Sequence, residues 1–172
     1  MKRHLARLLL AATAFPAIAA AAATANDPGT AEIDRFLAAN REFCRTAPSG
    51  DCVDRGLAFA DTDGDGAISL AETRRLRAFV GNWYAARSES LHRKDQATIG
   101  LSIWVADSLG LERVMQLFDS DGDGLVTRAE LTADVKLDER PLPEVLADSE
   151  AFDRKAMERR LGPYAALFKT IR

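Results

Sequence analysis

The stretch Asp61-Thr62-Asp63-Gly64-Asp65-Gly66-Ala67-Ile68-Ser69-Leu70-Ala71-Glu72 is echoed by Asp119-Ser120-Asp121-Gly122-Asp123-Gly124-Leu125-Val126-Thr127-Arg128-Ala129-Glu130. Both copies place aspartate at positions 1, 3 and 5, glycine at 6, a β-branched residue at 8, a hydroxyl residue at 9 and glutamate at 12. Aspartates at alternate places of a tightly coiled loop bring three carboxylates to one side. The sharp turn at place 6 needs the backbone freedom of Gly66 and Gly124. An ordinary acidic surface loop is the plain alternative, but two full matches in one chain make accident negligible.

The two stretches resemble the calcium loop of the EF-hand family, and Glu112–Glu130 resembles the entering helix and loop of a calmodulin-type hand. The resemblance implies two Ca²⁺ per chain. Asp61, Asp63 and Asp65, and Asp119, Asp121 and Asp123, would supply carboxylate oxygens, and Ala67 and Leu125 their carbonyls. Ser69 and Thr127 would act directly or through a water. Glu72 and Glu130 would close each shell with both oxygens, which favours large Ca²⁺ over octahedral Mg²⁺. Lanthanide-selective exported relatives carry proline at place 2 and aspartate at place 9. Thr62, Ser120, Ser69 and Thr127 depart from that pattern.

The family's habit of pairing hands implies an all-α fold in which Ala67-Ile68-Ser69 meets Leu125-Val126-Thr127 in a minimal antiparallel ladder. Ile68 and Val126 would pack back to back and couple the two sites. Pairing with another molecule's loops would instead make an obligate dimer.

Residues 1–25 read as a secretory signal: Lys2, Arg3 and Arg7, an Ala/Leu-rich run over Leu8–Ala23, and a small-x-small site at Ala23-Thr24-Ala25. A membrane anchor is the competing reading. Against it stand the alanine content, Pro16 and the lack of a basic stop-transfer flank. Cleavage before Asn26, or at an alanine upstream, leaves a soluble periplasmic or secreted domain spanning 26–172. The three basic residues removed leave 20 of 23 against 26 acidic ones, a formal charge of −6. No basic stripe suggests nucleic acid.

The only cysteines, Cys44 and Cys52, read in an exported protein as a disulfide across the turn at Thr46–Gly50. The bond would hold an N-terminal helix against the helix entering the first loop; two unpaired thiols are the alternative.

Apolar spacing predicts helices from Thr30 to Cys44 and from Cys52 to Ala60, then an exit helix carrying Leu76, Phe79, Val80 and Trp83. Arg74, Arg75 and Arg77 point away from that stripe and read as a solvated face rather than a partner site. After a break within 88–95, helix is predicted over Gln96–Phe118, with a kink at Gly100 or Gly110. The hands therefore fall at about 52–83 and 108–138, the second exit helix carrying Leu131 and Val135 up to Pro141-Leu142-Pro143. A C-terminal helical extension over 143–172 holds a helix from Ser149 to Leu161. Beyond it Tyr164, Leu167, Phe168 and Ile171 form an apolar stripe read as packing over the hands.

An enzyme is the poorest functional class. His92 is the single histidine after residue 25 and sits in a polar stretch, and no nucleophile–base set, zinc spacing or phosphate loop appears. Two classes stay open: a module whose folding or protein partner depends on Ca²⁺, and a protein in which Ca²⁺ is a staple or is merely buffered. With Met115 and Met157 as the only methionines after residue 25, a promiscuous methionine-rich groove is not expected.

Overall fold

The structure is a computed structural model that describes residues 27–162. The signal-like segment and the Tyr164–Ile171 stripe lie outside the described residues. The fold is all-α, with paired helix–loop–helix units, extra terminal helices and one two-strand antiparallel sheet.

Helix α1 (Pro28–Asn40) starts where Asp27 accepts a hydrogen bond from the Thr30 N–H at 3.1 Å, with Pro28 in the first turn. It stops at Asn40, short of the expected Cys44, and a separate turn of helix, α2 (Phe43–Thr46), carries that cysteine. Helix α3 (Ser49–Ala60) begins three residues before the expected start. Tertiary bonding sets that boundary: the Ser49 N–H donates to the carbonyls of Asp138 and Arg140. The buried Ser49 hydroxyl donates to the Asp138 carbonyl at 2.8 Å and accepts from the Asp138 N–H at 2.9 Å.

Cys44 and Cys52 are bonded as expected, with Cα atoms 5.1 Å apart, but the bond joins α3 to the separate α2 rather than to α1. The cross-link spans eight positions, so the paired substitution Cys44→Ser/Cys52→Ser is expected to cost about 2–3 kcal/mol. Chemical denaturation of the oxidised protein and the variant measures it.

The first loop leads through β1 (Ala67–Ile68) into α4 (Leu70–Arg87), the longest helix among the described residues. Its start is fixed by a reciprocal cap between Ser69 and Glu72. The helix lies along α1 so closely that a Cβ on Gly29 would collide with the Phe79 ring. Ile33 and Trp83 are buried. The Trp83 indole N–H donates to Asp34 Oδ1 at 2.8 Å while Arg87 holds the other Asp34 oxygen at 2.8 Å.

These two donors, Arg87 first, hold the Asp34 carboxyl below its ordinary range. A lowered folded-state pKa stabilises the fold above the unfolded value and loses that stabilisation as the pH falls through the folded one. Melting temperature is therefore expected to drop below about pH 4, and Asp34→Asn should flatten that acid limb.

The arginines of α4 are not a free solvated face. Arg74 pairs with Glu112, Arg75 with Glu32 and Arg77 with Asp107. Arg75 and Arg77 are only 27% and 24% exposed at the side chain. Their partners lie on three different helices, so the cluster ties α4 laterally rather than screening the loops.

A short turn at Ser88–Ser90 precedes α5 (Arg93–Leu109) and α6 (Leu111–Phe118). The expected kink falls at Gly110, whose φ of +82° ends α5 and starts α6. Gly100 stays inside α5 and makes room for Tyr84: a Cβ there would sit 2.8 Å from the Tyr84 hydroxyl. That hydroxyl donates to the Gln96 carbonyl at 2.9 Å.

The second loop passes through β2 (Val126–Thr127) into α7 (Arg128–Leu131). Here the expectation of an exit helix reaching about residue 138 fails. The backbone finds other partners: the Lys136 N–H donates to the Ala151 carbonyl at 2.7 Å and the Asp153 N–H to the Asp134 carbonyl at 2.9 Å. Val135 bridges to Phe152 instead of continuing a helix. An unforeseen helix, α8 (Leu142–Ala147), follows at once. Pro141 and Pro143 sit at its cap and second position, where a missing N–H costs nothing.

Fully buried Val145 anchors α8, which packs on α3. The helix expected over Ser149–Leu161 is divided into a turn at Ser149–Ala151 and α9 (Arg154–Leu161), the latter capped by Asp153. Among the described residues no helix is long and apolar enough to cross a membrane.

Candidate metal centre

In the first loop Asp61 is pinned by two backbone donors, Gly64 N–H to Oδ1 at 2.7 Å and Gly66 N–H to Oδ2 at 2.9 Å. Asp63 Oδ1 accepts from the Asp65 N–H at 3.2 Å, and Asp65 Oδ1 from the Ala67 N–H at 2.9 Å. The second loop repeats each bond within 0.1 Å. Gly122 and Gly124 donate to Asp119 at 2.7 and 3.0 Å, Asp123 to Asp121 at 3.2 Å and Leu125 to Asp123 at 2.8 Å. Glycines at both donor places of each loop have φ between +78° and +88°. A side chain there would strain the coil that brings the carboxylates together.

As a result Asp61, Asp63 and Asp65 each offer an oxygen within 4.8 Å of the others, and Asp119, Asp121 and Asp123 do the same. Oxygens on opposite sides of an ion with 2.3–2.6 Å bonds lie roughly 4.6–5.2 Å apart. The two acidic clusters therefore fit one hard divalent cation each.

Glu72 and Glu130 stand at the closing end of each loop, outside the three-aspartate clusters. Glu72 Oε1 accepts from the Thr62 N–H at 2.5 Å and its hydroxyl at 3.0 Å; Oε2 accepts from the Ser69 N–H at 2.9 Å and its hydroxyl at 2.8 Å. Glu130 repeats this with Ser120 and Thr127. The Ser69 N–H and then the Thr62 N–H hold Glu72 at a pKa of about 2; Thr127 and then Ser120 do so for Glu130. Both glutamates are ionised at neutral pH, although each residue is less than a tenth exposed.

Thr62 and Ser120 are not among the expected ligands, yet they supply half of each glutamate's donors. Ser69 and Thr127, read there as direct or water-mediated ligands, here donate to the glutamates and cap the following helices. The signal was the Ser/Thr-x-x-Glu spacing of a capping box.

Behind the loops, Ala67 pairs with Thr127 and Ile68 with Val126 in one antiparallel register. The two loops are thus joined back to back through buried Ala67 and Val126 within one chain. The family model described as EF hand matches residues 53–76 and 111–136. The chain carries two EF-hand motifs, a type of ion-binding module that performs no catalysis. No curated protein and no solved structure matches the chain.

Proposed function

We propose that both EF-hand loops bind Ca²⁺, two ions per chain, in an exported, periplasmic protein whose folding or partner binding depends on the ion. The observation that carries this reading is the duplicated three-aspartate cluster, built on matching backbone bonds and joined through one ladder. Clustered carboxylates repel one another until a cation neutralises them. The hydroxyls of Thr62, Ser69, Ser120 and Thr127 are rotors. Turning away, they free a lone pair on each glutamate oxygen for a cation, while the backbone N–H groups keep the carboxylates in place. Hydroxyls at loop place 9, where lanthanide-selective loops carry aspartate, favour Ca²⁺.

Titration of chelated protein with Ca²⁺ is expected to raise far-UV circular dichroism and to shift tryptophan emission, with two ions bound per chain. The Ala67–Thr127 and Ile68–Val126 pairing predicts positive cooperativity. Fewer than two ions per chain at millimolar Ca²⁺ by equilibrium dialysis would sink the proposal.

Export is supported by the Cys44–Cys52 bond, which suits an oxidising compartment. It is tested by the N-terminal sequence of the periplasmic protein, expected to start at Asn26. A second reading, in which Ca²⁺ is a staple, draws on the lateral ties of α4 to α1, α5 and α6, which do not involve the loops. Under it, chelation lowers the melting temperature but leaves the circular dichroism of the folded protein unchanged.

A further inference from the structure

Between the two hands lies a cleft of about 520 Å³, walled by Val53 and Leu57 of α3, Leu76 of α4, Val114 and Phe118 of α6, and Leu131. The one hydroxyl along it, on Thr73, is already within 3.0 Å of both the Ser69 carbonyl and the Met115 sulfur as acceptors. A polar ligand would find no partner there, whereas apolar side chains would fill it. Leu131 is left 41% exposed.

Helix α9 delivers the chain to this cleft. The Arg160 guanidinium lies 5.5 Å from the centre of the Phe118 ring, part of the cleft wall. It also donates to the carbonyl of Glu130, the neighbour of Leu131, at 3.2 Å, and pairs with Asp134 at 2.7 Å. Gly162, with φ +52°, ends α9, and Pro163 follows. Tyr164 comes four positions after Arg160, a reach of at most about 14 Å. From there Tyr164, Leu167, Phe168 and Ile171 recur at helical spacing.

We propose that residues 163–172 occupy the cleft of their own chain, with Leu167 and Phe168 as the anchoring side chains. A tether this short gives the segment a local concentration of the order of millimolar, which a separate partner would have to exceed. The hands are then masked in cis, and a partner gains the cleft only by displacing the segment.

The test uses the full chain carrying Leu167→Asp and Phe168→Asp, compared with the unaltered protein by fluorescence of the apolar dye ANS. It is read separately in Ca²⁺ and in chelator, so that failure of ion binding and failure of this proposal give different results. A several-fold rise in dye fluorescence is expected in the variant, reversed by adding the synthetic peptide of residues 163–172. A photo-crosslinker at position 168 is expected to give adducts within one chain, on α3 or α6. Unchanged dye binding with adducts elsewhere would overturn the proposal. So would adducts between two chains together with a dimer in sedimentation, since the occupant would then be a second copy.

Discussion

Glu130→Gln is expected to weaken Ca²⁺ at the second loop by at least about 100-fold, while Arg128→Gln leaves it nearly unchanged. The two residues are close in sequence but unlike in position. Glu130 is buried, and both its oxygens are aligned by N–H groups from Ser120 and Thr127. A glutamine keeps one of those acceptors and turns an NH₂ toward the other donor. It also removes the negative charge. Changing groups that merely orient a metal ligand already costs about 10–100-fold in affinity, so losing an oxygen of the ligand itself should reach the top of that range or pass it.

Arg128 pairs with Asp54, and both side chains are about half exposed. Such a pair contributes about 0–1 kcal/mol and lies outside the acidic cluster. Titration calorimetry on the two variants makes the comparison, and equal affinities would contradict the assigned role of Glu130.

Trp83→Ala should be the most destabilising single substitution in the first half of the fold, at about 3–5 kcal/mol. The ring is 9% exposed between α1 and α4, and its N–H is committed to Asp34. Removing it opens a cavity and strips Asp34 of one of the two donors that hold its carboxyl below the ordinary range. Trp83→Phe retains most of the apolar contact and isolates the loss of the hydrogen bond, about 1–3 kcal/mol with a charged acceptor. Trp104 is the internal control. It is 55% exposed on α5, so Trp104→Ala should stay within about 0.5 kcal/mol. Urea denaturation of the three variants separates these cases, and similar losses at Trp83 and Trp104 would place the core elsewhere.

The loops were legible because their chemistry is local. Asp61 to Asp65 and Asp119 to Asp123 are held by backbone donors no more than five residues away, so the sequence spacing is itself the geometry. The ladder followed from the resemblance, and its register matches the residues singled out for it. The elements misread were those whose ends are decided at a distance. Nothing near Val135 announces that its backbone will pair with Phe152, and nothing near Ser49 announces Asp138. Pro141-Leu142-Pro143 was read only as a stop, although prolines at the cap and second position are equally a start. The arginines of α4 looked idle because their partners, Glu32, Asp107 and Glu112, are 30 to 43 positions away in the sequence.

The Ser49–Asp138 contact closes a ring of 89 positions around both hands. A chain made amino end first presents Ser49 long before Asp138 arrives. The leading hand therefore waits, with α3 lacking its N-terminal seal, until the trailing one is complete. Acquisition of structure should then be all-or-none and late, a single melting transition with no half-protein that survives alone.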